Sequence, residues 1–430
     1  MNKKIVILGA GLAGLSTAYH LQNGCCVYEQ GNEVGGLARS DKIDGFIFDH
    51  DGHLLHFKTE YVKKLIQTLL PGLFISHNRN SWVFSHNVFT KYPFQANTFG
   101  LPSQVVKKCI LGMFDVVSKN KTTEEANLAQ WMQHNFGEGI TRHFMYPYNH
   151  KFWTLPPEEL IPDWTQNYVP HVNLKTVLDG AFSLKTKPLG YNSEFWYPKT
   201  GGIDQIAKSM AKRVSNIKTR HKMNAVDIKN KKVYFENSES VKFTELILTT
   251  PLGALQKLIK DTMPKEVRQA FSRLKYLSIF NLNLGVKREN ISDKHWIYFP
   301  ENKFCFFRVG FPTNFSKNVA PSKTSSLYVE VSYSEFKHIN KKNIIASIEA
   351  DLIKAGILKA DDDILTRHIN DIKYGYVIYD KSYRDNIKII NDYLRKFNIY
   401  TAGRFGRWKY MSMEDVILDG KRVSDCIKKK

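Results

Sequence analysis

The sequence predicts an α/β protein in which a parallel-sheet domain is assembled from three separate stretches of chain, interrupted by a helical domain and an antiparallel sheet domain. Three observations carry that reading. A short apolar run near the N-terminus passes straight into a glycine-rich turn and a helix, the pattern of a parallel strand feeding its crossover. Residues 93–190 are dominated by helical periodicity, whereas 276–395 are rich in short aromatic strands. Apolar runs of parallel-strand character then return at 246–249 and 399–402, so the chain is expected to re-enter its first domain twice. The division expected is 1–92, 191–275 and 396–430 for the parallel-sheet domain, 93–190 for the helical domain and 276–395 for the antiparallel domain.

Residues 4–8 form the opening strand, a continuous apolar run too short for a helix. Gly9-Ala10-Gly11-Leu12-Ala13-Gly14 follows at once, and 15–21 continue as a helix. The glycines do different things. Gly9 permits the tight turn, Gly11 lets backbone approach a pyrophosphate, and Gly14 lets helix and strand pack closely. The helix start offers unpaired N–H groups and a positive dipole end to phosphates. A second strand, 25–28, ends at Glu29, twenty residues after Gly9. A carboxylate there accepts bonds from a ribose hydroxyl. Strand, turn, helix, second strand and acid fall in register, so the segment reads as a Rossmann-like dinucleotide-binding unit.

Further along, Val62, Leu65, Ile66, Leu69 and Leu70 mark an amphipathic helix that Pro71 stops. Thr122 and Glu125 form a capping box for a helix whose apolar face carries Leu128, Trp131 and Met132 and whose C-cap is Gly137. Gly201-Gly202 open a helix reaching about Arg213, and strands follow at 225–228 and 232–235. In the antiparallel region strands are expected at 280–286, 296–299, 304–310 and 327–331, then a helix at 342–355 and further strands to about 395. A last helix covers 414–427. No internal repeat or low-complexity linker divides the chain.

Composition narrows the function classes. The 430 residues, 43% of them hydrophobic, suffice for a large core. No stretch approaches the roughly 18–20 continuous apolar residues of a membrane span. The apolar run at 5–8 is too short for a signal peptide and ends in a glycine turn instead of a cleavage site, so a cytoplasmic location is expected. Five cysteines (Cys25, Cys26, Cys109, Cys305 and Cys426), with no C-x-x-C spacing, indicate neither a disulfide framework nor a metal site. A net charge of +21 fits nucleic acid, an anionic membrane surface, a small anionic substrate or a general Lys/Asn/Ile-rich bias. The lysines are spread along the chain, only Lys428-Lys429-Lys430 forms a run, and no nucleic-acid motif occurs, so no nucleic-acid partner is expected.

The loop Gly35-Gly36-Leu37-Ala38-Arg39-Ser40 resembles the second glycine-rich loop of the FAD-binding superfamily that includes amine oxidases, protoporphyrinogen oxidase and UDP-galactopyranose mutase. Gly36, Leu37 and Arg39 then join Gly9, Gly11, Leu12, Ala13, Gly14 and Glu29 as cofactor-binding candidates, with Arg39 able to grip a phosphate. Gly52-His53 matches residues that lie against the flavin ring in these proteins. The run Gly403-Arg404-Phe405-Gly406-Arg407-Trp408-Lys409-Tyr410 closely resembles a signature of UDP-galactopyranose mutases of the eukaryotic kind. Tyr92-Pro93-Phe94-Gln95, the stretch Pro147-Tyr148-Asn149-His150-Lys151-Phe152-Trp153 with Pro156 and Trp164, and Trp296-Ile297-Tyr298-Phe299-Pro300-Glu301 with Arg308 match in the same order. The fold implied is a Rossmann-like FAD-binding domain in three segments with an inserted helical domain and an antiparallel sheet domain.

The resemblance also implies a chemistry. In such mutases reduced FAD works through its N5 as a nucleophile on the anomeric carbon of a nucleotide sugar, and the ring recloses between pyranose and furanose forms without net oxidation. An anionic nucleotide-sugar substrate follows, with NAD(P)H or a reductase as electron source. Arg308 and Arg404 would hold the diphosphate, each a permanent charge able to donate two parallel bonds, and His53 would support the flavin; these three are the catalytic candidates. Tyr92, Gln95, Asn149, Trp153, Tyr298, Tyr376 and Tyr410 match substrate-side positions, and Val226, Gly403 and Met413 match further cofactor contacts. Three departures stand out. Tyr168 falls where those mutases have a nucleotide-gripping arginine, Phe315 where they have a tyrosine, and Ser412-Met413-Glu414-Asp415 where they have Asn-Gln-Asp-His. An FAD-dependent oxidase or desaturase of the amine oxidase and protoporphyrinogen oxidase type stays open as the alternative, and so does a flavin-stabilised scaffold without turnover.

Overall fold

A computed structural model describes residues 3–118, 125–183, 189–190 and 192–429. Its opening strand, Ile5–Leu8, is buried throughout, as an uninterrupted apolar sequence requires. That strand is the centre of a five-stranded parallel sheet. Cys25–Tyr28 pairs on one side and Glu245–Leu248 on the other, and Ile217–Lys218 and Ile399–Thr401 form the two edges. The three separate stretches of chain thus meet in one sheet, as their apolar runs predict. The helix Leu12–Leu21 lies along the last helix, Met413–Lys428. Ser16 Oγ donates to the Ile417 carbonyl (2.6 Å), and a Cβ on Gly420 would stand 2.7 Å from that of Ser16. The last helix therefore needs a glycine where it crosses the first.

A second sheet has seven strands. Its order is Ile364–Val377, Tyr276–Val286, Ser325–Tyr333, Arg308–Gly310, Trp296–Tyr298, Ser81–Ser85 and Val88–Lys91. Pairing is antiparallel except where Trp296–Tyr298 runs parallel to Ser81–Ser85. The sheet is therefore mixed, and a hairpin from the first stretch of chain completes it. His86 and Asn87, both at positive φ (54° and 61°), make the tight turn of that hairpin. Such a turn is local, but the strand it docks on is more than 200 residues away.

Among the described residues the helical region holds four α-helices, Ser103–Ser118, Leu128–Ile140, Tyr146–Trp153 and Leu174–Phe182, with a π-helical turn, Thr141–Met145, joining the second to the third. The expected capping residue Thr122 lies outside the described residues; the helix starts at Asn127, whose side chain accepts the Gln130 N–H at 2.9 Å. At Gly137 the backbone leaves the helical conformation (φ 70°), as expected of a C-cap glycine, and a second helical run follows across the kink; a Cβ there or on Gly139 would overlap the backbone of the neighbouring helix at Gly112 or Lys108. The glycines serve a backbone-to-backbone helix contact.

Two expectations in the sheet region are corrected. Residues 383–395 form a helix, Tyr383–Arg395, with Asn386, Ile390, Tyr393 and Leu394 buried at helical spacing on one face. Of the strand expected at 304–310, only Arg308–Gly310 forms. The carbonyls before it are turned toward the buried Lys151 ammonium, which donates to those of Phe299 (2.8 Å), Phe304 (3.1 Å), Phe306 (3.3 Å) and Glu301. Burial pushes Lys151 down to about 7. Among the described residues no helix is long and apolar enough to cross a membrane, and no His/Cys/Asp/Glu cluster fits a metal ion.

Candidate active site

A cavity of about 740 Å³ opens at the C-terminal ends of the parallel strands and extends to the seven-stranded sheet. Ligands of open α/β folds bind at that end of a sheet. The first wall is backbone. Gly9 sits at φ 102° and donates its N–H to the Tyr28 carbonyl (2.8 Å), and any Cβ on Gly14 would overlap the Gly9 carbonyl oxygen. The two glycine loops are pressed together: Gly35 N–H donates to the Ala10 carbonyl (2.8 Å), and a Cβ on Gly36 would lie 3.2 Å from Gly11 Cα. Glu29 accepts Ala10 N–H on one carboxylate oxygen (2.7 Å) and Gly31 N–H on the other (2.8 Å). Its carboxylate is thereby fixed, with lone pairs left over for a ribose diol.

Several buried side-chain atoms lack a hydrogen-bond partner, among them Arg39 Nε, His53 Nδ1, Gln95 Oε1, Trp153 Nε1 and Asn370 Nδ2. All five belong to residues lining the cavity. Buried polar atoms are rarely left unpaired in a finished structure, so these fit a polar ligand. Burial, helped by the charge of Arg404, pushes His53 down to about 4, so the ring is neutral near neutral pH. Gly403, at φ 76°, and Met413, the first residue of the last helix, close this wall. Ser412 caps that helix in a reciprocal box with Asp415. Its first N–H groups have no intrahelical partners, and its positive dipole end faces the cavity.

The opposite wall is made of side chains. Tyr92 packs on Tyr298 (4.7 Å between ring centres), Phe152 on Tyr376 (4.8 Å), Tyr376 on Tyr410 (5.5 Å) and Tyr168 on Tyr410 (4.3 Å). Two of the predicted guanidiniums line the cavity beside these rings. Arg404 lies 5.1 Å from the ring centres of both Tyr376 and Tyr410 and donates from Nε (2.9 Å) and Nη2 (2.6 Å) to the Met411 carbonyl. No carboxylate lies within ion-pair distance of it among the described residues. Arg308 differs: Nε and Nη2 (2.7 Å) both donate to the fully buried carboxyl of Glu330.

Of the residues predicted from sequence, Gly9, Gly11, Leu12, Ala13, Glu29, Gly36, Leu37, Arg39, Gly52, His53, Gly403 and Met413 line the cofactor end. Tyr92, Gln95, Asn149, Trp153, Tyr168, Tyr298, Arg308, Tyr376, Arg404 and Tyr410 line the other. Three are not brought in. Gly14 lies behind the turn, Val226 is buried in the strand Met223–Asp227 of a separate three-stranded sheet, and Phe315 packs on Phe195 and Tyr197. Within the cavity, Asn149 already donates to the Met145 carbonyl (2.8 Å). Sequence reasoning missed Asp51 and Glu330 behind Arg308, and Arg79, whose guanidinium lies 4.8 Å from the Tyr92 ring centre. It also missed Lys58, whose ammonium lies 5.0 Å from the Tyr168 ring centre and 3.1 Å from Asp415. A cation therefore reaches the neighbourhood of Tyr168 from another part of the chain. None of the four sits in a motif of recognisable spacing.

A family model for flavin-containing amine oxidoreductases matches residues 12–428. The chain belongs to that family. FAD is its cofactor, and the glycine cradle, Glu29 and the unpartnered Arg39 and His53 atoms are suited to hold it. Among solved structures, reduced UDP-galactopyranose mutase matches with a TM-score of 0.95 and 28% identity, over 100% of this chain and 94% of that one. Wild-type putrescine oxidase bound to putrescine shares the fold, with a TM-score of 0.67 and 16% identity over 100% of each chain. A curated relative, coproporphyrinogen III oxidase of Bacillus subtilis (strain 168), is 20% identical over 331 residues, 68% of each chain. The fold and family implied by the sequence blocks are thus borne out.

Proposed function

We propose that this flavoenzyme is a sugar-nucleotide mutase, interconverting pyranose and furanose rings of a nucleoside-diphosphate sugar. The observation that carries the reading is the placement of Arg308 and Arg404 on one aromatic-walled cavity that also contains His53 and the glycine cradle. Two guanidiniums converging on one cavity suit a departing diphosphate, whereas a cationic amine substrate would be repelled by them. The likeness to UDP-galactopyranose mutase over the full chain supports the same conclusion.

When bound in reduced form, FAD supplies a nucleophilic nitrogen at N5, with NAD(P)H or a reductase as the source of electrons. The protein's own work is orientation and electrostatics. Arg404, held by the Met411 carbonyl and flanked by two rings, presents an uncompensated charge to the diphosphate. Arg308, fixed by Glu330, presents its remaining N–H groups from the sheet side. The rings of Tyr92, Tyr298, Tyr376 and Tyr410 lower the polarity around the space between, which strengthens both contacts. His53 stays neutral and offers Nδ1 without adding charge beside the cofactor.

The test is direct. The purified yellow protein is reduced with dithionite under argon and offered a panel of nucleotide sugars. Redox-neutral conversion of a pyranose to a furanose is the expected result. Oxygen consumption and peroxide release with an organic reductant, and no ring interconversion, would establish the oxidase reading instead.

A further inference from the structure

Arg308 and Glu330 are directly opposite residues on neighbouring antiparallel strands, so their side chains leave the sheet on the same face. A third group reaches them from elsewhere. Asp51 lies just past the strand Phe46–Asp49 at φ 94°, a backbone conformation that suits glycine and strains other residues. That turn drives its carboxyl inward, where it lies beside the carboxyl of Glu330 held by the same guanidinium and stands 4.0 Å from Arg308 Nη2. Asp51 Oδ1 also accepts the Gly52 N–H (2.8 Å), which ties the pair to the residue before His53. Glu330 is fully buried and the Asp51 side chain nearly so, at 0% and 12% exposed.

Two ionised carboxylates are acceptors only and cannot hydrogen-bond to each other. The contact therefore requires one proton between them. We propose that Asp51 and Glu330 are a single carboxyl pair that shares one proton, locks Arg308 in place, and sets the charge of the diphosphate end of the cavity. With the proton, two carboxyls and one guanidinium sum to zero. Without it, a buried net negative charge stands where an anionic ligand must arrive, at a cost the low-polarity site magnifies.

The surroundings agree with this charge balance. Burial pushes Glu330 well above its ordinary range despite Arg308. Burial also opposes ionisation of Asp51, but the protonated Glu330 carboxyl beside it and the charge of Arg308 hold it low. The proton belongs to the pair as a unit. Other titratable or charged groups facing this cluster are His53, His50 and Arg404 on the cofactor side, and Tyr148, Tyr298, Tyr328 and Tyr376 on the sheet side. The two histidines are pushed down and the tyrosines Tyr148, Tyr328 and Tyr376 up, all by burial first, so none of these five takes over the pair's proton near neutral pH. Asp51 and Glu330 are positioning residues here; Arg308 is the group facing the cavity.

Infrared spectroscopy of the FAD-loaded protein tests the pair without any substrate. Wild-type protein should show a deuterium-sensitive protonated-carboxyl band persisting well above the ordinary carboxylate range, lost in both Asp51→Gly and Glu330→Gln. Glycine suits the backbone at 51 and glutamine keeps the shape at 330, so both variants should fold and retain flavin. Absence of the band, or its survival in both variants, overturns the proposal. A second readout, which rests on the mutase reading, is UDP affinity against pH. In wild type it should weaken about ten-fold per pH unit above the pair's titration, and in Asp51→Gly it should be flat over the same range. A wild-type profile as flat as the variant's also overturns the proposal. Failure of UDP to bind at any pH would count against the mutase reading, and the infrared band would still decide the pair.

Discussion

On the cofactor side of the cavity the contacts are main chain: glycine turns, carbonyls and N–H groups at the ends of strands, with Glu29 pinned by two backbone donors. On the far side they are side chains, a run of tyrosines with Arg308 and Arg404 beside them. A backbone wall tolerates almost no addition, because a methyl group has nowhere to go. A side-chain wall can exchange one group for another and still close. Of the departures from the mutase pattern, Tyr168 stands in the side-chain wall, Phe315 lies outside the cavity against Phe195 and Tyr197, and the third replaces side chains at a helix start whose N–H groups are unchanged in kind.

The contrast can be broken most severely at Gly14. Gly14→Val would force the first turn and helix apart, and we expect loss of FAD from the purified protein together with at least about 3 kcal/mol of stability. Flavin absorbance and the denaturation midpoint measure both; retention of flavin would show that the backbone wall is softer than its geometry. Arg404→Ala tests the other wall. It should keep bound FAD and lower turnover about 10²- to 10³-fold, equivalent to about 3–4 kcal/mol, in the mutase assay. Unchanged turnover would remove Arg404 from the reaction.

A third test uses acid. His53 sits at about 4 against an ordinary 6.5, so stability is complete above 6.5 and declines as pH falls toward 4, because the unfolded chain takes up a proton that the folded site refuses. The contribution is at most about 1.4 kcal/mol per pH unit. His53→Gln should flatten that part of the denaturation profile, and an unchanged slope would show that His53 is not the group responsible. The smallest effect is expected at Tyr168→Phe. It loses the 2.9 Å bond to Asp415, costing about 1 kcal/mol, and KM for a nucleotide sugar should change less than about ten-fold. A larger change would make Tyr168 a direct substrate contact.

The same division explains what can be read from the sequence. Gly9, Gly11, Glu29 and the Gly35-Gly36 loop act through local spacing, and the structure brings them together as the spacing requires. Arg308 and Arg404 are recognisable because their blocks resemble a known pattern. Asp51, Glu330 and Lys58 carry no such signal: what matters about each is a partner supplied by strand register or helix packing far along the chain. The segment at 304–307 reads as strand because its aromatic pattern suits one, while the buried Lys151 ammonium that claims its carbonyls lies in a helix about 150 residues earlier. The helix Tyr383–Arg395 is a different case, since its apolar spacing is local and the sequence alone suffices to show it.

The five-stranded sheet has one more consequence, for the order of events during synthesis. Its edge strand Ile399–Thr401 and the helix packed against Leu12–Leu21 leave the ribosome some 400 residues after the strand and turn they support. Pairings so distant in sequence are slow to form. The N-terminal cradle must wait, its apolar faces uncovered, until some 400 residues have followed, and chaperones have that whole interval in which to bind it. A flavin taken up during translation would therefore mark a chain whose last helix has already emerged.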